Sequence, residues 1–281
     1  MPKVAIVTDS TAYIPPDLLE KYHITVAPQV LIWGDESYRD GVDISPVEFY
    51  ERLANTDIMP STSQVTPADF KDIFEKLHGE GKDILAILIS EKLSKTVNSA
   101  NLASQMVPDA RVVVVNSDTT AMEMGFHVLT AARAAENGAS LEECEAIAKD
   151  AQENSGVIFA VDTLEFLYRG GRIGGASRFL GTALQIKPLL ELIDGKIEAL
   201  EQVRTKKKAQ NRLKELIVER VAGKENIHLA TLHANAAEDA QALLDAINEV
   251  VNAEEVVFSE VSPVIGTHAG PGTVGIAYMT D

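Results

Sequence analysis

Short apolar runs alternate with amphipathic stretches through the first half of the chain. Val4-Ala5-Ile6-Val7, residues 84–89 and residues 112–115 are continuous hydrophobic runs of strand length. A strand reads this way when helices cover both faces of a parallel sheet. Residues 24–33 form a further extended stretch. Between the runs lie helix signals. Pro16 opens a short helix through Tyr22. Ser45-Pro46-Val47-Glu48 is a capping box with proline at the first helical position. Thr66-Pro67-Ala68-Asp69 repeats that logic before a helix ending near Gly79, and Ser140 with Glu143 opens another. Residues 94–106 and 121–137 also carry helical patterns. Strand–helix alternation implies right-handed crossovers and a parallel sheet over residues 1–155.

The second half, residues 156–281, has a different rhythm. Residues 157–161 read as a strand and 162–168 as a short helix. Asp194-Gly195 between residues 189–193 and 196–203 is a hairpin signal. A basic amphipathic helix follows over 205–221, then a strand over 227–233. Asn235, with Glu238 three residues on, predicts a helix cap. Residues 256–261 and 274–279 are the last predicted strands. Hairpins mixed with helices predict a mixed α/β domain, so the expected fold class is α/β with a parallel-sheet N-terminal domain and a mixed C-terminal one.

Composition adds exclusions. The 281 residues are 46% hydrophobic and 24% charged, which is ordinary for a globular protein and unlike a disordered tail or a disulfide mini-protein. The formal net charge is −17. A surface that negative repels phosphate backbones and anionic membranes, which argues against nucleic acid as a partner. Cys144 is the single cysteine, on a predicted helix, so no internal disulfide forms. The longest apolar run, 84–89, is far too short to span a bilayer. Met1-Pro2-Lys3 leads straight into a strand rather than a secretory apolar region, and the expected location is the cytoplasm.

In open parallel sheets, ligands bind beyond the carboxyl ends of the strands. Here those ends are rich in hydroxyls: Ser10 and Thr11 after the first strand, Ser90, Ser94 and Thr96 after the run at 84–89, and Asn116-Ser117 after the run at 112–115. Ser61-Thr62-Ser63-Gln64 reads as a loop just before a helix. Singly, such residues are helix caps. Together on one sheet edge they form a set of neutral donors suited to an anionic head group. Gly270 to Gly275 fits G-x-G-x-x-G by count, but only six residues follow it, and the dinucleotide reading is rejected. What remains is a tight loop presenting His268 at a strand end. Residues 167–175 hold Arg169 and Arg172 among four glycines. They form a positive spot read either as a solvated turn or as a dock for an acidic partner or phosphate. The Lys206-Lys207-Lys208 run is given no role. The sequence has no G-x-S-x-G elbow, no phosphate-binding G-x-x-x-x-G-K-[ST] loop, no H-E-x-x-H and no zinc spacing. His228 and His233 fall on opposite faces of one strand.

Val7-Thr8-Asp9-Ser10, Thr62-Ser63-Gln64, Lys92-Leu93-Ser94 with Thr96 and Ser99-Ala100, Gly170-Gly171-Arg172-Ile173, Lys187-Pro188, and Ile265-Gly266-Thr267-His268 with Gly270-Pro271-Gly272 occur in that order. Together they resemble the DegV family of bacterial fatty-acid-binding proteins across nearly the whole chain. The resemblance implies two α/β domains enclosing one long-chain fatty acid. It also implies a non-catalytic role, as the acyl-binding subunit of a fatty acid kinase. A separate kinase catalytic subunit would phosphorylate the carboxylate with ATP to give acyl phosphate, and membrane contact would be transient. No cofactor is implied beyond the bound fatty acid. By resemblance, Thr62 and Ser94 hydrogen-bond the carboxylate, His268 lies beside it, and Arg172 helps dock the kinase subunit. Ser10, Ser63 and Ser117 complete the expected set of hydroxyls. Lys95 stands where the family often has glycine, and Asn116 where aspartate is commoner; both bear on head-group geometry.

An acyl chain gains about 0.8 kcal/mol per buried CH₂, on the order of 10 kcal/mol for sixteen to eighteen carbons before ordering costs. Phe166, Leu167, Ile173, Phe179, Leu180, Leu184 and Ile186 are the expected tunnel lining. Two other readings stay open: a dihydroxyacetone-kinase-like phosphotransfer subunit using His268, and a lipid-sensing regulatory module.

Overall fold

The structure, a computed structural model, describes residues 3–181 and 186–280. The first half contains β1 (Val4–Asp9), α1 (Pro16–Lys21), β2 (Thr25–Ala27), β3 (Val30–Trp33), β4 (Glu36–Arg39) and α2 (Pro46–Ala54). It continues with β5 (Ser61–Ser63), α3 (Pro67–Gly79), β6 (Asp83–Leu88), α4 (Thr96–Met106), β7 (Val112–Asn116), α5 (Ala121–Glu136) and α6 (Leu141–Glu153). The second half follows with β8 (Ser155–Ala160), α7 (Glu165–Arg169), β9 (Lys187–Ile193), β10 (Lys196–Val203) and α8 (Lys206–Val221). It closes with β11 (His228–His233), α9 (Ala237–Val251), β12 (Glu255–Val257), α10 (Pro263–Ala269) and β13 (Val274–Met279).

The hydrophobic runs of the first half form a parallel sheet in the order β2-β1-β6-β7. β1 is buried along its length, as its unbroken apolar run requires. The second half forms a sheet in the order β10-β9-β8-β13-β11-β12, antiparallel except for the β11–β12 pair. The predicted division into a parallel and a mixed sheet holds. A small antiparallel sheet, β4-β3-β5, stands beside them.

Both sheets close on α5. This helix packs on β1 and β6 from one side and on β8, β11 and β13 from the other. Its residues Met122, Met124, Phe126, Val128 and Leu129 are fully buried, which is why it is apolar almost all round. One continuous core therefore runs through both halves, from Leu85 and Ile87 to Leu232 and Ala277. Cys144 packs into that core as a free thiol. Separate apolar layers lie outside it, under α3 and α4 in the first half and under α8 and α9 in the second.

The three capping boxes form as predicted at Ser45, Thr66 and Ser140. The hairpin turns at Asp194 and Gly195, whose positive φ values of 48° and 76° suit a tight two-residue connection. Five expectations need correction. Residues 24–33 split at Pro28 into β2 and β3, which join different sheets. Residues 61–63 are a strand, not a loop, because they pair with β3. Asn235 takes φ +50° and does not cap α9; Ala236 holds that position with no side-chain cap. The strand expected at 256–261 ends at Val257, because the Ser259 amide turns aside to donate to Thr231 Oγ1 at 2.8 Å. His268 lies on α10 rather than in a loop at a strand end. Among the described residues, no helix is long and apolar enough to cross a membrane.

Candidate functional site

A cavity of about 870 Å³ lies between the two sheets, lined by residues of both halves. That volume falls within the roughly 300–1,000 Å³ usual for small-molecule sites. The first half supplies mainly polar wall: Thr62, Ser63 and Gln64 of β5 and its end, the segment Glu91 to Lys95 after β6, and Asn98 and Asn101 of α4. The second half supplies mainly apolar wall: Val157 and Phe159 of β8, Leu192 and Ile197 of the hairpin, Leu232 of β11, and Val261, Val264 and Ile265. The result is amphipathic, with hydroxyls facing hydrocarbon.

His268, near the end of α10, binds Thr62 through its Nε2, 2.8 Å from the Thr62 Oγ1. Its Nδ1 is buried and has no hydrogen-bond partner among the described residues. Burial, and then the nearby Arg172 charge, pull the His268 pKa down to about 4, so the ring is neutral at physiological pH. Gly170 lies against this ring; a Cβ there would occupy the place of Nδ1. The glycine is thus required by the neighbour, not by its own backbone. Arg172 donates from Nε to the Leu93 carbonyl at 3.0 Å and from Nη1 to the Gly170 carbonyl at 2.8 Å. Ser94 follows Leu93, and its hydroxyl lies 2.9 Å from the buried Thr96 Oγ1. Thr62, Ser94, His268 and Arg172, from four distant segments, thereby line one cavity.

Of the residues singled out from sequence, Thr62, Ser63, Ser94, Lys95, His268 and Arg172 line the cavity. Ser10 and Ser117 do not. Ser10 donates to Asp40 at 2.6 Å and accepts from the Gln29 amide. Ser117 is buried in its own turn, where it exchanges hydrogen bonds with the Thr119 backbone. Asp9, of the same motif as Ser10, is also structural: its carboxylate accepts from the Ile89 and Thr11 amides and from Gln29 Nε2. It fastens the carboxyl ends of β1 and β6 together. Of the two readings of the glycine-rich segment, a fully solvated turn does not describe Arg172, which is half-buried and doubly anchored. Lys95 is exposed, immediately before α4, and does not cap that helix with its side chain.

The expected tunnel lining needs more revision. Leu167 is on the wall, but Phe166, Ile173, Phe179, Leu180 and Ile186 are not, and Leu184 lies outside the described residues. Ile173 and Phe179 pack on the core, and Phe166 packs against Gly270. The apolar wall comes instead from strands of the second sheet. Along β8, Val157 and Phe159 face the cavity side while Ile158 and Ala160 face α8 and α9. The period-two alternation was available in the sequence, but both faces of that strand are apolar, so nothing distinguished them. Among the described residues, no cluster of histidine, cysteine, aspartate and glutamate is placed to hold a metal ion.

Fold and cavity together define an α/β protein in which a parallel and a mixed sheet close on an amphipathic chamber. A sequence model described as the uncharacterised DegV family matches residues 3–281. The chain belongs to the DegV family. It is 37% identical over 282 residues to a DegV domain-containing protein of Clostridium perfringens, with 99% of each chain covered. Among solved structures, it matches a fatty-acid-binding DegV family protein from Thermus thermophilus at 36% identity and a TM-score of 0.94, with 100% of both chains covered. It matches DegV of Bacillus subtilis, a fatty acid binding protein, at 32% identity and a TM-score of 0.92, again over 100% of both chains.

Proposed function

We propose that the protein binds a long-chain fatty acid in this cavity and presents its carboxylate to a separate kinase subunit, which phosphorylates it with ATP. The observation that carries the reading is that Thr62, Ser94, neutral His268 and Arg172 all line one cavity, whose wall from the second half is largely hydrocarbon. The fatty acid binding of the Thermus thermophilus and Bacillus subtilis relatives supports it.

A carboxylate leaving water needs donors, because burying it unpaired is very costly. The Nε2–H tautomer of His268 donates to the Thr62 oxygen, which frees the Thr62 proton for the ligand. In the same way, a bond from Thr96 to Ser94 frees the Ser94 proton. Two hydroxyls then hold the head group without neutralising it. One carboxylate oxygen stays available to attack the γ-phosphorus of ATP: the new carboxylate O–P bond forms, the bond to the β-phosphate oxygen breaks, and ADP leaves. The sequence holds no phosphate-binding loop for ATP, so the nucleotide is assigned to the partner. Arg172 makes no hydrogen bond from Nη2 among the described residues. That donor faces the arriving phosphoryl group or an acidic residue of the kinase.

The test is to load the protein with oleate, add ATP with or without the kinase catalytic subunit, and trap acyl phosphate with hydroxylamine. Hydroxamate is expected only when both proteins are present. Its formation by this chain alone, or its absence with both proteins and bound oleate, overturns the presenting role.

A further inference from the structure

α10 carries His268 but has only seven residues. A helix that short has little stability of its own and sits where its contacts put it. Its N-cap residue, Ser262, makes no side-chain bond to its own helix. The Ser262 hydroxyl donates instead to Oδ2 of Asp40 at 2.6 Å, and the Val264 amide donates to Oδ1 of the same carboxylate at 3.3 Å. Asp40 thus caps α10 from a segment more than two hundred residues away in sequence. The same Oδ2 accepts the Ser10 hydroxyl at 2.6 Å, and the Asp40 amide donates to the Gln29 carbonyl at 2.8 Å. A single residue, only 2% exposed, ties these segments together: its carboxylate joins the start of α10 to the end of β1, and its backbone amide reaches the residue before β3. β3 in turn pairs with β5, which carries Thr62.

We propose that Asp40 is a positioning residue for the head-group site: it fixes α10 against the first half, and through α10 it sets the His268 imidazole against Thr62. It does not line the cavity. Four helical residues, roughly 6 Å of axial rise, separate Val264 from His268, so Asp40 reaches His268 only through the helix. The fit along α10 is tight. At Gly266, midway, a Cβ would meet the Tyr50 hydroxyl and the Phe49 ring. The helix cannot move toward α2 to compensate for a lost anchor. Ser10, which the sequence offered as a ligand donor, instead belongs to this anchor.

The inference rests on the fatty-acid reading, and its test separates the two. Asp40→Asn keeps the shape but places an NH₂ group where one of its donor neighbours needs an acceptor. The full-length protein is labelled at histidine, and the His268 ring signals are recorded by NMR without lipid. Palmitate affinity is measured in parallel. Asp40→Asn is expected to shift the His268 ring signals and to weaken palmitate binding about tenfold. Ser140→Ala, which breaks a cap on α6 far from the site, is expected to change neither. In a double-mutant cycle, Asp40→Asn on a His268→Gln background should add no further loss of affinity. If Asp40→Asn does not fold, Ser262→Ala removes one donor of the same anchor and carries the same readouts. Unchanged His268 signals in the folded anchor variant, or losses that simply add in the cycle, overturn the positioning role. Failure of the wild-type protein to bind palmitate or oleate overturns the fatty-acid reading, while the ring signals still decide the role of Asp40.

Discussion

At the scale of single residues, the site rests on keeping His268 neutral. His268 is buried beside a cation, which holds its pKa at about 4. A charged imidazole would pair with a carboxylate and blunt its nucleophilicity. A neutral one only orients the Thr62 hydroxyl, 2.8 Å away. Thr62→Val keeps the shape and removes that hydroxyl. A hydrogen bond to a charged group contributes about 1.5–3 kcal/mol, so oleate affinity should fall by roughly 10- to 100-fold. Titration calorimetry would check this; an unchanged affinity would place the carboxylate elsewhere.

At the scale of elements, the apolar wall depends on how the β9–β10 hairpin docks. Its tip lies on the end of β6: Ser90 Oγ donates to the Gly195 carbonyl at 2.8 Å, and Lys92 Nζ donates to the Asp194 carbonyl. Behind the tip, Leu192 and Ile197 reach the cavity. Gly195 has φ +76°, and a Cβ there would run into Ser90 Oγ. Gly195→Ala should therefore cost about 1–2 kcal/mol for the left-handed backbone alone, and lift the hairpin from the strand end. Chemical denaturation should show the loss of stability, and oleate affinity should fall with it. Wild-type affinity in the Gly195→Ala variant would show that the tip contact does not shape the wall.

The hairpin, the capping boxes and the parallel strands were all legible in sequence, because each is written in local signals: Asp194-Gly195, Ser45 with Glu48, the run at 84–89. Thr62, Ser94 and His268 were legible only as motifs in register, and the structure brings them onto one wall. The Asp40 anchor and the apolar wall left no such trace. An aspartate among polar neighbours looks like a turn residue, and its burial is created by Ser10 and Ser262, which approach only in the fold. The second-sheet residues facing the cavity are chemically the same as those facing α8 and α9, so only tertiary packing separates them.

At the scale of the whole molecule, α5 is the shared element on which both halves close, and it carries a buried acid. Glu123 accepts from Thr119 Oγ1 at 2.5 Å and from Ser155 Oγ at 3.4 Å, and Ser155 also bonds His127. Burial outweighs these hydrogen bonds and raises the Glu123 pKa to about 7. Between the unfolded value of about 4.5 and this one, the folded state holds a proton that the unfolded state has released. Stability from this group is therefore complete below about pH 4.5 and is lost as pH rises through about 7. Glu123→Gln should remove that term, worth at most roughly 3 kcal/mol at about pH 8. In urea titrations, the variant's midpoint should rise relative to wild type between about pH 5 and pH 8. A constant difference across that range would mean that Glu123 is charged throughout.

The arrangement as a whole predicts a hydrocarbon tail between the two sheets with its acid held at Thr62 and Ser94. Native mass spectrometry of the purified protein, followed by denaturation and lipid extraction, tests this most directly. One long-chain fatty acid per chain is expected, exchangeable for added palmitate or oleate and lost more readily from Thr62→Val. A protein that carries no lipid and takes up neither acid would contradict it.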